Sequence, residues 1–288
     1  MNRIVKVILP LFVVVFVVVT LFSCYNGKDS ESSADVDSTI VETSVVTDTL
    51  SEVDEEIEEA DESDKLDTSF DDFMFAFTHS DRLQSKRIVW PLTYTDVDGE
   101  TKNLKSLNCS SEFRFLKGDF FTVMYGDRKQ VENQKSETDD SLVVVERIDL
   151  MEDKLRAYEV KLLEVKWKLT SMSDIVFHES DIYDFLTFYA RFSSDTLYQQ
   201  DHVEQPLKVM VLDPEEDDAY IEGTINAEQW RSFCPDVPQG VISNIRYGVQ
   251  KYYLRQMILQ KSGSSNGLQE LFFFTKEDNE WYLTRYEN

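Results

Sequence analysis

Glycine and proline are scarce in this chain, 9 and 6 among 288 residues, and cysteine and histidine are scarcer still at 3 each. The few glycines form no phosphate-cradling loop, and there is no Gly-x-Ser-x-Gly elbow for a nucleophile. The three cysteines make neither a paired framework nor a Cys/His spacing suited to zinc. His79, His178 and His202 lie far apart, without an i+4 histidine or a motif carboxylate, so no metal site is expected. The turn Asp213-Pro214-Glu215-Glu216-Asp217-Asp218 is acidic but lacks the spacing and central glycine of a calcium loop, and reads as a solvated hairpin turn. Positive charge is short as well: 29 Lys and Arg stand against 55 Asp and Glu, for a formal charge of −26. That balance argues against a nucleic-acid partner. Nothing in the sequence calls for a cofactor or names a catalytic residue.

There is one long apolar run. Arg3 and Lys6 precede Ile8 to Phe22, whose centre is almost all valine, and Leu21-Phe22-Ser23-Cys24 closes it. A short basic region, an apolar stretch and a small residue before cysteine resemble the lipobox of bacterial lipoproteins, with Cys24 the lipidated residue. The run is short for a comfortable membrane span. Residues 1–23 are expected to be a signal peptide, with the mature chain exported and lipid-anchored to the cell envelope. From Gly27 to Asp67 there are 16 acidic residues against Lys28 and Lys65, and no aromatic. Such a stretch cannot bury enough apolar surface to offset the entropy of ordering, so residues 24–67 are expected to be a disordered acidic tether. Asp29 and Glu31 also resemble surface-export signals of Bacteroidetes lipoproteins; a plain spacer is the simpler reading.

The remainder echoes itself. Gln84-Ser85-Lys86-Arg87-Ile88-Val89-Trp90-Pro91-Leu92 returns as Gln199-Gln200-Asp201-His202-Val203-Glu204-Gln205-Pro206-Leu207, offset by 115. Asp72-Phe73 returns as Asp184-Phe185 (112), and Trp167-Lys168-Leu169-Thr170 as Trp281-Tyr282-Leu283-Thr284 (114). Three echoes in order at nearly one spacing imply two diverged copies, 68–172 and 180–288, joined by a linker at 173–179. The period is too long for a solenoid. Cys109 and Cys234 are not equivalent within the copies and read as isolated buried thiols.

In each copy a phenylalanine-rich helical stripe, Phe70, Phe73, Phe77 or Ile182, Phe185, Tyr189, leads into a short helix over 81–87 or 195–200. Leu92 to Leu107 reads as a hairpin turning at Asp98-Gly99. Pro206 to Leu212 and Ala219 to Ile225 form the second hairpin. Phe120 to Tyr125, Leu142 to Leu150, Lys154 to Val165 and Trp167 to Met172 read as antiparallel strands. So do Val241 to Tyr247, Lys251 to Gln260, Gln269 to Thr275 and Trp281 to Tyr286. Gln130 to Asp140 reads as a loop, and Ala227 to Phe233 as a helical turn capped by Asn226.

That order resembles the nuclear-transport-factor-2-like fold, a curved sheet wrapped over helices into a cone. The lipobox, the acidic tether, Phe70-Asp71-Asp72-Phe73 and the Gln84, Arg87, Ile88, Pro91 frame are similar to an uncharacterised family of Bacteroidetes lipoproteins in that superfamily. The resemblance implies an α+β fold of two tandem cone-like domains, each with helices on a curved antiparallel sheet, and it implies no activity. Gln84 and Arg87 share a helix face. They read either as a polar contact at a pocket mouth, with Arg87 gripping an anion, or as a clamp of the helix end onto the hairpin. The repeated frame, whose charge is not repeated, favours the clamp. The candidate ligand contacts are Gln84, Arg87 and Trp90, with Gln199 and His202, although Trp90 reads more readily as core. Tyr94, Asp96, Tyr125, Tyr183 and Tyr247 show no spacing that marks a catalytic pair. The sequence therefore points to a non-enzymatic ligand-binding or protein-interaction module, held at the membrane through lipid on Cys24, whose partner is a small molecule or an envelope protein. A cavity enzyme acting on a small apolar or carbonyl compound, or a structural part of an envelope complex, are the alternatives.

Overall fold

The computed structural model describes residues 69–133, 141–213, 215–216, 219–233, 235–248, 252, 255–264 and 267–288. Cys24, the acidic stretch and Cys234 lie outside these residues. Ser69 opens α1 (Phe70–His79), and its side chain accepts from the Asp72 amide. Asp71 and Asp72 sit in the first turn, where the helix dipole favours negative charge. Phe70, Phe73, Met74 and Phe77 form the buried face. Ser80 ends this helix and caps the next, α2 (Asp81–Arg87), by accepting from Leu83 N at 3.2 Å. The second half repeats the pair as α5 (Tyr183–Ser194) and α6 (Thr196–Asp201), the latter capped by Asp195, which accepts from the amides of Leu197 and Tyr198. Between these pairs lie α3 (Cys109–Glu112), a 3₁₀ turn at Arg114–Leu116 and α4 (Arg128–Asn133). α7 (Ala227–Phe233) follows Asn226. Asn226 and Gln229 cap it reciprocally, each side-chain oxygen accepting from the other's amide at 2.9 Å.

Two expectations need correcting here. α4 runs to Asn133, so residues 130–133 are helical where a loop was expected. Asp127 accepts from Gln130 N at 3.0 Å while Gln130 Oε1 accepts from Gly126 N at 2.7 Å, a local cap that the polar composition hides. The hairpin near Gly99 turns through Asp96–Glu100, not through two residues: Asp96 N bonds Glu100 O at 3.1 Å, and Gly99 supplies the positive φ of 80°.

The strands are β1 (Ile88–Thr95), β2 (Thr101–Leu104), β3 (Phe120–Tyr125), β4 (Leu142–Asp149), β5 (Lys154–Leu163) and β6 (Lys166–Val176). In the second half they are β7 (Val203–Leu212), β8 (Tyr220–Ile225), β9 (Val241–Tyr247), β10 (Gln256–Gly263), β11 (Gln269–Glu277) and β12 (Glu280–Glu287). β10 starts later than expected, at Gln256. They build two six-stranded sheets, β2-β1-β6-β5-β4-β9 and β8-β7-β12-β11-β10-β3. The sheets are mixed, not wholly antiparallel: β1 runs parallel to β6 and β7 parallel to β12. Each first strand pairs with the last strand of its own half, and the long intervening chain supplies the crossover that a parallel pair needs. Trp90-Pro91 and Gln205-Pro206, both cis, lie in these first strands. Both halves also share a register shift in the long hairpin, at Glu159/Val160 and Phe273/Phe274.

The sixth strand of each sheet comes from the other half. β3 pairs β10, and β9 pairs β4. Where β3 and β9 cross, their backbones are satisfied by hydroxyls. Ser243 Oγ accepts from Thr122 N at 2.8 Å and donates to Thr122 O at 3.0 Å. Thr122 Oγ1 accepts from Ser243 N at 3.0 Å and donates to Ser243 O at 2.5 Å. β3 and β9, the edge strands of the two sheets, thus cover each other there. Beside this ring Asn244 Oδ1 accepts from Met124 N at 2.9 Å, while its amide donates to Glu146 Oε2 at 2.8 Å and to Tyr252 Oη at 2.9 Å.

Two aromatic cores fill the space between helices and sheets. In the first, Phe113 lies 5.2 Å from Phe77 and 5.1 Å from Tyr158, and Phe70 lies edge-on to Trp167 at 5.2 Å and to Tyr247 of β9 at 5.8 Å. In the second, Phe185 and Phe192 each approach Phe274 edge-on at 5.3 Å, and Phe185 meets Trp281 at the same distance. The cores are not private to one half. Met124 and Ile148 belong to the second, and Ile245 and Ile258 to the first.

Candidate functional site

Side chains alternate along a strand, so residues two beyond a core position share its face. Arg147 follows Val145, Arg156 precedes Tyr158 and Asp174 follows Met172. β4, β5 and β6 hold them in direct register, Arg147↔Arg156 and Arg156↔Asp174, with Ser243 of β9 opposite Arg147. A polar row therefore crosses the first sheet at the edge of the first core. Arg156 is fully engaged. It meets Asp174 with two bonds, Nε to Oδ1 at 2.5 Å and Nη2 to Oδ2 at 2.9 Å, and Nη1 reaches Glu112 Oε1 at 2.8 Å. Tyr94 donates to Asp174 Oδ2 at 2.7 Å, and Tyr158 donates to Glu112 Oε1 at 2.5 Å. Burial opposes ionisation of Asp174, but the bonds from Arg156 and Tyr94 outweigh it and hold its pKa below the ordinary carboxylate value. Burial, and then the bond to Glu112, push the Tyr158 phenol up. Both groups stay locked in one protonation state near neutrality.

Arg147 differs from its neighbour. It is half-buried and stands directly opposite Arg156, a like-charge pair that a sheet does not favour. It has no ion-pair partner among the described residues. It lines a cleft of about 470 Å³ with Arg156, Asp174, Val97, His178 and Tyr183. Val97 is 53% and Tyr183 39% exposed, and Asp149, Asp153 and Lys154 also line the cleft, so its rim mixes open apolar side chains with charges of both signs. The arrangement can receive a small anionic group against Arg147 and an apolar or aromatic group against Tyr183. It offers no nucleophile–base pair. A second cleft of about 450 Å³ runs across the other sheet past Arg128, Lys208, Phe273 and Arg285. There Arg128 and Arg285 both bond Glu287, and Arg128 also lies over Phe273 at 4.8 Å. Among the described residues no cluster of His, Cys, Asp or Glu is placed to hold a metal ion.

The residues singled out in sequence lie elsewhere. Gln84 is buried and its amide donates to Phe77 O at 2.8 Å. Gln199 does the same to Phe192 O at 3.2 Å and accepts from the Trp230 indole at 3.2 Å. Arg87 is buried, its Nη1 on Trp167 O at 3.3 Å. His202 is sandwiched between Tyr198 and Tyr282, its Nδ1 2.7 Å from Tyr198 O. These four side chains tie helix ends to neighbouring elements and do not meet in one pocket. Trp90, which read more readily as core, is 39% exposed. The frame places it in the outward excursion between Ile88 and Leu92, the two buried positions of that strand segment. Trp167 and Trp281 are buried, and Cys109 is a half-buried free thiol. Of the tyrosines and aspartates that showed no telling spacing, Tyr94 and Tyr183 do reach the row or its cleft. Arg147, Arg156 and Asp174 were missed. Their one sequence signal is charge at positions where strand alternation calls for apolar side chains.

A helix-backed mixed-sheet α+β architecture of this order defines the nuclear-transport-factor-2-like class. The crystal structure of an NTF2-like protein from Bacteroides fragilis matches it with a TM-score of 0.70 at 28% identity, over 77% of this chain and 96% of that one. A family model described as a domain of unknown function (DUF4348) matches residues 49–288, and the chain belongs to that family. No curated protein matches the chain.

Proposed function

We propose that this chain is an exported, lipid-anchored, non-enzymatic binding module of the cell envelope, built from two tandem NTF2-like copies of about 68–172 and 180–288 on an acidic stalk. The copies are read as having exchanged one strand each. Binding is assigned to the cleft beside the first core, where Arg147 takes an anionic group of a partner protein or small molecule. The observation that carries this is the guanidinium of Arg147, without an ion-pair partner among the described residues, beside a fully paired Arg156. The aromatic filling of both cores supports a site at the edge, not inside. The test places a photo-crosslinker at Val97 on the rim and exposes the chain to an extract of its own cells. A specific adduct is expected, reduced at least tenfold by Arg147→Glu with folding unchanged. An adduct indifferent to that substitution, or none, removes the cleft as the site.

The anchor is tested separately. Cys24→Ser is expected to move the chain from the membrane fraction to the soluble fraction. Retention of the variant in membranes would overturn the lipobox reading.

A further inference from the structure

The two halves place the same elements at the same register and then decorate one end of their sheets in opposite ways. The β5–β6 turn is Glu164-Val165, both at positive φ, 51° and 60°. Its counterpart is Asp278-Asn279, at 47° and 70°. Asn and Asp tolerate this left-handed backbone, whereas a β-branched residue does not. Val165 nonetheless occupies the turn and is 78% exposed. Leu163, 37% exposed, stands opposite Lys166; the corresponding pair in the second half is Glu277 opposite Glu280. Lys161 stands opposite Lys168, like charges in register, where the second half has Thr275 opposite Tyr282. β1 begins at this same end, Ile88 being level with Leu169. There Val89 and Trp90, 37% and 39% exposed, correspond to Glu204 and Gln205. Arg82 and Lys86 of α2 correspond to Leu197 and Asp201.

One end of the first sheet thus carries exposed Trp90, Val89, Leu163 and Val165 among Lys161, Lys166 and Lys168, with Arg82 and Lys86 on the helix that leads into β1; the carboxylates of this region are Glu159, Glu164 and, in the first turn of α1 whose Phe70 packs on Trp167, Asp71 and Asp72. Lys161 is paired with Glu159 at 3.0 Å, and Lys166 and Lys168 have no ion-pair partner among the described residues. The corresponding end of the second sheet is acidic and polar. In a chain of formal charge −26, a local concentration of cations around exposed apolar side chains is an exception. Folding does not explain it, since the other half folds the same way without it and Val165 is conformationally disfavoured where it stands.

We infer that this end is a membrane-docking face that rests on an anionic bilayer surface. Tryptophan sits at the level of lipid headgroups, apolar tips enter the boundary, and lysines lie over anionic lipids. The spread of lysines is what favours lipid over a protein partner, since lysine is depleted from protein–protein interfaces whereas tryptophan is common to both. Among the described residues no helix is long and apolar enough to cross a membrane, so contact here is superficial. The inference rests on the envelope location proposed above, and it adds that the folded domain lies against the membrane with a set orientation.

Trp90 is its own reporter, because Trp167, Trp230 and Trp281 are 5%, 1% and 4% exposed. The full chain is held on vesicles by its N-terminus, and tryptophan quenching by bromine carried on the lipid chains is measured. Vesicle flotation reports attachment independently, so a failed anchor and a failed docking are told apart. With phosphatidylglycerol in the vesicles, quenching is expected, and it should vanish in Trp90→Gln. It should fall several-fold in the double variant Lys166→Glu, Lys168→Glu and at high salt, which screens surface charge. Val165→Asn places the second half's residue in the turn, relieves its backbone and so folds at least as well, yet should also lower quenching. Chain that floats with the vesicles but shows no quenching overturns the proposal, whatever covers that end instead. Equal quenching on purely zwitterionic vesicles overturns it too.

Discussion

Replacing Asn244 by leucine is expected to cost about 3–6 kcal/mol of stability. Its side chain is wholly buried and serves three groups from three parts of the chain. Leucine leaves the Met124 amide without its acceptor, at about 1–3 kcal/mol, and takes a charge-assisted bond from Glu146, at about 1.5–3 kcal/mol. Glu146 is buried and, among the described residues, keeps Arg246, whose Nη2 lies 3.0 Å from Oε1. Burial raises the Glu146 pKa, and Arg246 and Asn244 offset this only in part. A raised folded value means that the folded chain holds the proton more tightly, so this residue lowers stability as pH rises from the unfolded value through the folded one. Glu146→Gln should remove that slope while itself lowering stability, because an amide keeps one acceptor oxygen for the two donors, Asn244 Nδ2 and Arg246 Nη2, that the carboxylate serves. Urea unfolding of both variants across pH 4 to 8 is the measurement. If Asn244→Leu cost less than about 1 kcal/mol, the crossing of β3 and β9 would not be the joint described above.

Gln199→Leu is expected to cost about 2–5 kcal/mol, and Gln84→Leu less, about 1–3 kcal/mol. Both glutamines donate to a carbonyl seven residues back, near the end of the preceding helix. Gln199 also accepts from the buried Trp230 indole, so its loss strands a donor and an acceptor, each worth about 1–3 kcal/mol when left unpaired in the interior. The order of the two effects follows from that extra partner. It also separates a clamp from a ligand contact, since a residue kept only for binding leaves the unfolding midpoint nearly unchanged. Equal midpoints for the wild type and both variants would return these glutamines to the list of binding candidates.

Local signals carried much of this architecture. The phenylalanine stripe and the Asn226 cap were readable because each acts within four residues. The 115-residue echo placed Gln84 and Gln199 in the same role before any contact was known, because a buried side chain tied to a fixed carbonyl tolerates little change. Trp90 was misjudged for the complementary reason: tryptophan is apolar by composition, and only the path of β1 turns it outward. The polar row was hidden because Arg147, Arg156 and Asp174 come from three strands. Their register, not their spacing along the chain, brings them together.

By itself the sequence determined the charge balance, the order of most elements and the existence of two echoing halves. These follow from composition and from short-range hydrogen bonding and periodicity. Which sheet β3 and β9 would join was decided only by tertiary structure. Each strand is apolar enough to pair with either neighbour, and the choice rests on contacts more than a hundred residues apart: Thr122 with Ser243, Met124 with Asn244, and the cores on either side. The same holds for the charged end of the first sheet, because a lysine in sequence is a solvated residue until the fold gathers its neighbours.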